Sequence, residues 1–496
     1  MKRPLAVALV AAVLAGLAAV SMPARAGDSC EWLAGDFHVH TVYSHDAFGG
    51  PIYDGDPTVE GGNGQEEAQE PYTLGWTPLE EGAIAQTRGL DFLAITDHNN
   101  MLARDTDPGY GGGDLIWVDG YENSLHAHAQ MIGAKKIYEE GPANLEDIER
   151  IAAELRADGG FFQINHPADQ RWVNSYGTSF IPDSIEAWNI GPWVYQPPFP
   201  ASGDHQWPLD FYDGYLDRGK HIAATGGSDS HWRSTTSAQG AGQPTTWVCA
   251  ESRSQSGIVS GVRAGRTTIS SEPPNYGGAF ATLETVDGRG LGSTVAPGTS
   301  VTAHVATAPG AILTLVTNGS EVVDQVTVDG PDFTHTFEVP LDSTWVRAEV
   351  HMPDGAEVRK ELTPLCDRLA PLMEDTQIFQ GEVSHCVNRL DVMALTSPIY
   401  FDPTTTVSYD GNTSGAAGGT ATLSATLTGI EGEIEGAPLT FSFQDSTYAA
   451  VTDSNGYASV EVPVAGPAGE YVVTTTFGGS DTYDASADSD AFQVTE

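Results

Sequence analysis

The chain has 496 residues, 40% of them hydrophobic, and 67 acidic against 22 basic side chains leave a net charge of −45. Such a charge repels nucleic acid and anionic membrane surfaces at long range, so no nucleic-acid partner is expected. A polyanionic substrate would have to be held by charge at the site itself, because nothing steers it there. At roughly 150 residues per domain the length has room for about three domains.

Residues 1–26 read as a secretory signal. Lys2 and Arg3 supply the positive start, Leu5 to Val20 the apolar run, and Ala24-Arg25-Ala26 the small-residue cleavage site. The run is short for a membrane span, and Gly27 stands where a lipoprotein signal carries leucine before its cysteine, so no membrane anchor is expected. The reading is of a protein secreted, or released into a periplasm, after cleavage near Ala26. Losing Lys2, Arg3 and Arg25 takes the charge from −45 to −48. Four cysteines remain, with no Cys-x-x-Cys among them, which in an exported chain favours disulfides over metal ligation. Three pairings are open; Cys366 with Cys386 is the local choice, and Cys30 with Cys249 follows by elimination.

Residues 36–46, Asp-Phe-His-Val-His-Thr-Val-Tyr-Ser-His-Asp, alternate apolar and imidazole side chains. In a strand, Phe37 and Val39 face one way while His38 and His40 face the other. Two imidazoles leaving a strand together are half of a chelating site for a divalent metal. Ten of the fourteen histidines lie between His38 and His231. From Gly49 to Gly75 a glycine-rich insert carries Asp54, Asp56, Glu60, Glu66, Glu67 and Glu70 without EF-hand spacing, and reads as a solvated loop. The stretch with Asp105, Asp107 and Asp114 reads the same way.

Short apolar runs then alternate with helical periodicity. Strands are expected at Phe37–His40, Phe92–Ile95, Leu115–Val118, Phe161–Ile164, Ile185–Trp188, Ile222–Ala224 and Thr246–Cys249. Helices are expected at Pro78–Gly89, Asn144–Ala157, Leu209–Arg218 and Gln255–Ala264. This alternation argues for an α/β domain with a parallel sheet closed into a β/α barrel, with its chemistry at the C-terminal ends of the strands. There the sequence places His38 and His40, Asp97 and His98, Glu122, His166, and Asp229 with His231. Each taken alone reads equally well as a helix cap, a surface pair or a buried structural histidine. Five at successive strand ends do not read as five coincidences.

After Pro273 helical periodicity gives way to alternating runs such as 311–317 and 345–351, an expected antiparallel β-sandwich reaching about Phe401. From Asp402 a Thr/Ser/Gly/Ala-rich stretch continues the alternation and fits a small immunoglobulin-like module. The expected boundaries are therefore 27–272, 273–402 and 403–496.

The ordered motifs His38-x-His40-Thr with Ser44 and Asp46, Thr96-Asp-His98-Asn, Glu122 with His128, Asn165-His166-Pro and Gly227-Ser-Asp229-x-His231 resemble the PHP (polymerase and histidinol phosphatase) superfamily. Within it they resemble the CehA/McbA-like metallohydrolases. Glu186-Ala-Trp-Asn189, Pro244-Thr-Thr-Trp and the stretch ending Arg263-Ala-Gly-Arg266 add to it, and the resemblance spans about residues 35–271. It implies a distorted (β/α)7 barrel holding two or three divalent ions (Zn, Mn or Fe). Carried over by position, His38, His40, Glu122 and Asp229 would hold one ion, with Glu122 bridging to a second completed by His128 and His166. Asp46, His98 and His231 would form a third site. His128 is preferred to His126 because it stands five residues before Gly133, although Ala127 replaces the family's glycine.

The activity the resemblance implies is metal-dependent hydrolysis of a small ester, most simply a phosphoester attacked by a metal-bridging hydroxide, with His38, His40, Glu122, Asp229 and His231 as catalytic residues. Arg171 and Arg233 follow two of the motifs and are candidates for binding phosphate. Two alternatives stand beside this. One is a carbamate or carboxyl-ester hydrolase at the same site. The other is a metal-stabilised, non-catalytic binding or adhesion protein whose immunoglobulin-like tail touches a surface or polymer.

Overall fold

Seven consecutive residues of one strand, Leu33 to Val39, are buried in the computed structural model. A strand buried on both faces needs neighbours on both edges and cover on both sides, and the rest of the domain supplies them. The structure describes residues 30–44, 75–138, 141–167, 171–189, 208–231, 240–352, 392–480 and 482–496. The signal segment, the acidic insert, Asp46, Arg233 and the Cys366–Cys386 pairing lie outside the described residues.

In chain order the strands that build the site are β1 (Glu31–Val39), β2 (Phe92–Ile95), β3 (Ile116–Val118), β4 (Glu122–Asn123), β5 (Ala129–Ile132), β6 (Phe161–Ile164), β7 (Ser184–Asn189), β8 (Ala223–Gly227), β9 (Thr245–Ala250) and β10 (Thr267–Ser270). The described helices are α1 (Pro78–Arg88), α2 (Leu102–Thr106), α3 (Leu145–Ala157), α4 (Arg171–Tyr176), α5 (Pro208–Leu216) and α6 (Gln255–Arg263). The helix ends are written in the sequence. Thr77 and Glu80 form a capping box before α1, Asn144 caps α3, and Ser254 caps α6. α3 buries Ile148, Ile151, Ala152 and Leu155, one stripe at helical spacing, and each large member stabilises by about 1.5–3 kcal/mol on burial.

The barrel expected from the strand–helix alternation is not formed. β1 runs parallel to β2, and β2 to β3, but on its other edge β1 is antiparallel to β9, which is antiparallel to β10. β4 to β8 form a second sheet, antiparallel through β5 and parallel from β6 to β8. Among the described residues only single bridges, Val39 to Ser230 and His98 to Glu122, join the ladders of the two sheets. Closure needs a continuous ladder round the circle. Here β4 and β5 are joined by a five-residue connection, too short for the crossover that parallel neighbours require, and the ladder stops between β3 and β4 and again beyond β8.

Strands dominate the rest of the chain, so the protein as a whole is mainly β. The first sheet continues without a break from β10 into the strand Val392–Thr396, and from there to Trp345–His351. A three-stranded sheet (Phe280–Thr285, Val301–Ala306, Asp332–Phe337) belongs to the same sandwich, over a core that includes Leu283, Val301, Leu313, Val346 and Ile399. Residues 403–496 form a second, separate sandwich round Leu423, Leu439, Phe441 and Phe492. Cys30 and Cys249 are joined by a disulfide beside the β1–β9 pairing, which suits a chain folded in an oxidising compartment.

Candidate metal centre

The two single bridges mark where the sheets meet, and the chemistry lies along that seam. β1 delivers His38 and His40 with both rings on the face away from Phe37, whose own ring packs 4.8 Å from Phe92 and 5.4 Å from Phe161. His98 follows β2, Glu122 begins β4, His128 precedes β5, His166 follows β6, and Asp229 and His231 follow β8. Three residues here hold the left-handed conformation that side chains disfavour: Asn99 (φ 53°), His166 (φ 20°) and Asp229 (φ 50°). Backbone strain of about 1–3 kcal/mol each persists only where the surroundings over-determine it.

Glu122 is the centre of the cluster. Its Oε2 faces His98 Nδ1 at 3.0 Å, His40 Nε2 at 3.4 Å and His38 Nε2 at 3.5 Å. Its Oε1 faces His128 Nδ1 at 3.0 Å and His166 Nε2 at 3.4 Å. One carboxylate thus turns each oxygen toward a different set of imidazoles, as a bridging ligand does. Asp229 Oδ1 lies 3.2 Å from His38 Nε2 and 3.3 Å from both His40 Nε2 and His231 Nδ1. The Nε2 atoms of His38 and His40 are 3.1 Å apart, and the rings of His40 and His231 stack at 3.9 Å.

Burial opposes charge on all of these groups, and their neighbours decide the outcome. Desolvation would lower the His38 imidazole, but Asp229, Glu186 and Glu122 hold it well above the ordinary histidine range. Desolvation together with the charges of His231 and His98 pushes His40 down to about 3. Glu122 and Asp229 are held well below the usual carboxylate range against the cost of burial, Glu122 chiefly by His128 and His38, Asp229 by His38 and His231.

The donors fall into four overlapping triads whose ligating atoms lie within 4.8 Å of one another: His38–His40–Asp229, His38–Glu122–His166, His98–Glu122–His128 and His40–His98–His231. Glu122 Oε2 is buried and makes no hydrogen bond, although a carboxylate oxygen out of water needs a donor or a cation. Imidazoles mixed with carboxylates suit Zn²⁺, Mn²⁺ or Fe²⁺ better than Mg²⁺. The residues present fit such ions.

Of the sequence-derived candidates, His38, His40, His98, Glu122, His128, His166, Asp229 and His231 therefore converge. His126 is exposed and stands outside the cluster. Arg171, on α4, places Nη1 2.5 Å from His128 Nε2. Sequence reasoning gave no role to the groups behind the ligands. Ser44 Oγ lies 2.8 Å from His40 Nδ1, Asn165 donates to Glu122 Oε1 at 2.8 Å, and Glu186 Oε1 lies 2.8 Å from His38 Nδ1.

No protein-family model and no curated protein matches the chain. Among solved structures it is similar to the PKD domain of an M14-like peptidase from Thermoplasmatales archaeon SCGC AB-540-F20, at 19% identity and a TM-score of 0.15, over 19% of this chain and 96% of that one. It is also similar to Salmonella α2-macroglobulin reacted with methylamine (10% identity, TM-score 0.18), over 51% of this chain but 18% of that one. A putative membrane anchored protein from Corynebacterium diphtheriae gives 11% identity and a TM-score of 0.20, over 43% of this chain and 53% of that one. Likenesses this slight carry no argument about fold or chemistry.

Proposed function

We propose that the chain is an exported, metal-dependent hydrolase acting on a small phosphoester. The observation that carries the reading is Glu122, a buried carboxylate with each oxygen turned to a separate set of imidazoles. Divalent ions bound there would supply Lewis acidity and a water acidified toward neutral pH. His38, His40 and Asp229 would hold one ion, His128 and His166 a second, and His98 with His231 the remainder. The motif resemblance to PHP-type hydrolases supports the same assignment.

The chain's own groups have further tasks. Arg171, whose Nη1 meets His128 at the exposed side of the cluster, would hold an anionic substrate oxygen, as a guanidinium does with two parallel hydrogen bonds. His231 is partly exposed and anchored through Nδ1 to the Asp229 carbonyl at 2.8 Å, which would leave its other nitrogen to ligate. The Cys30–Cys249 disulfide supports export, and cleavage of the leading segment near Ala26 belongs to the same reading. No described helix is long and apolar enough to cross a membrane.

The test pairs elemental analysis of the purified chain with hydrolysis of p-nitrophenyl phosphate, bis-p-nitrophenyl phosphate and a naphthyl carbamate. Two or three metal equivalents and phosphoester turnover, both reduced in His38→Ala, are expected. Carbamate turnover alone would move the reaction to carbon–oxygen bonds, and metal without any turnover would sink the hydrolase.

A further inference from the structure

A carboxyl side chain buried inside a strand is costly unless it has partners, and Glu186 in the middle of β7, fully buried, is such a residue. Its partners are all nitrogen donors. Oε1 lies 2.8 Å from His38 Nδ1, while Oε2 accepts the backbone N–H of His166 at 2.7 Å and Asn189 Nδ2 at 3.0 Å. Asn189 Nδ2 also reaches Asp229 Oδ2 at 3.3 Å. His38, His166 and Asp229 belong to the two triads that share His38. Gly227, opposite Asn189 on β8, leaves room for this contact; a Cβ there would lie 2.4 Å from both Glu186 Oε1 and His38 Cβ.

We infer that Glu186 is the positioning residue of the metal centre, one carboxylate that fixes the His38 tautomer and the His166 backbone and, through Asn189, aims Asp229. The inference rests on the metal-centre reading above. With Oε2 accepting two N–H donors, Oε1 is the acceptor left for His38, which then presents Nδ1–H to it and keeps the Nε2 lone pair for the cluster. The bond to the His166 N–H holds that residue at its disfavoured φ of 20°.

The chemistry of the three donors makes the test sharp. Glutamine has one acceptor oxygen and one NH2 donor. Turned either way in Glu186→Gln, its NH2 meets at least one N–H donor. If that donor is His38 Nδ1–H, the ring must move its proton to Nε2 and stop ligating. A residue serving only to fill space would tolerate this isosteric change.

Zinc affinity of the full chain, read by competition with a chromophoric chelator, is expected to fall about 10–100-fold in Glu186→Gln. Glu186→Asp, which keeps the acceptor-only group, is expected to recover part of the loss. Equal zinc affinity in wild type and Glu186→Gln would overturn the inference while leaving the metal centre standing. A wild-type chain that takes up no zinc would overturn both. Should Glu186→Gln fail to fold, the zinc-loaded wild type with ¹⁵N-labelled histidine decides. His38 ligating through Nε2 with Nδ1 protonated is the expected signature, and ligation through Nδ1 overturns it.

Discussion

Glu81 shows what burial does to a carboxyl group that nothing neutralises. It lies on α1 beneath the seam, 1% exposed, with Oε1 3.4 Å from Ser230 Oγ and Oε2 without a hydrogen bond. Burial pushes it from 4.5 up to about 8; the charge of Asp36 adds to the shift and Arg88 opposes it. In the unfolded chain the group loses its proton near its ordinary value, whereas the folded chain keeps it. Stability is therefore unaffected below about pH 4.5, falls as pH rises from there to 8, and stays lower above, by several kcal/mol. Glu81→Gln removes that dependence. Urea midpoints at pH 5 and pH 9 should differ less in the variant than in the wild type, with the variant the more stable at pH 9. An unchanged difference would place the alkaline loss elsewhere. At this same scale the ligands were legible in the sequence, because histidines and acids at the ends of apolar runs are conspicuous. Their supports stood in the same motifs, but nothing there assigned them a role. Ser44, Asn165 and Asn189 are ordinary residues whose importance lies in which ring or carboxylate they touch across the fold. Glu186 had a signal of its own, a carboxylate in the middle of an apolar run.

Elements were readable where their causes are local. The runs at Phe92–Ile95 and Phe161–Ile164 form strands with those bounds, and α1 begins where Thr77, Pro78 and Glu80 announce a cap. In that capping box Thr77 Oγ1 accepts from Glu80 N at 3.3 Å, and Glu80 Oε2 accepts from Thr77 N at 2.9 Å. Thr77→Ala should cost about 1 kcal/mol, seen as a lower urea midpoint at unchanged slope, and Thr77→Ser should keep most of the stability. Loss of stability equal in both variants would point to packing of the threonine methyl instead. Barrel closure, by contrast, depends on hydrogen bonds between segments distant in sequence. A strand–helix alternation says which segments extend and nothing about which edges pair. The two-residue β4 and the reversed β5 carry no strong pattern, and the ladder breaks between β3 and β4.

The whole molecule is held together unevenly, and this sets the last expectation. Arg347, fully buried in the first sandwich, makes paired bonds to Asp213 of α5 at 3.0 and 2.8 Å, and Trp345 Nε1 donates to Asp217 at 3.0 Å. Tyr400 stacks on His221 at 3.7 Å and accepts from Ile222 N at 2.9 Å, while the strand Val392–Thr396 completes the ladder on β10. Removing residues 273–496 would strip β10 of its neighbour and leave Asp213 buried without its guanidinium, a loss of about 3–5 kcal/mol from that pair alone. The final module is attached differently. Glu431 accepts from Arg289 at 2.7 Å and from Ala296 N at 2.9 Å at a partly exposed junction, and the module's core is its own. A chain ending at residue 402 should therefore melt cooperatively within a few degrees of the full protein and take up the same number of zinc equivalents. A chain ending at residue 272 should give no cooperative melt. A 27–272 fragment with full-length melting behaviour and zinc uptake would show that the shared sheet is incidental. Loss of zinc on trimming to 402 would instead make the last module part of the centre's support.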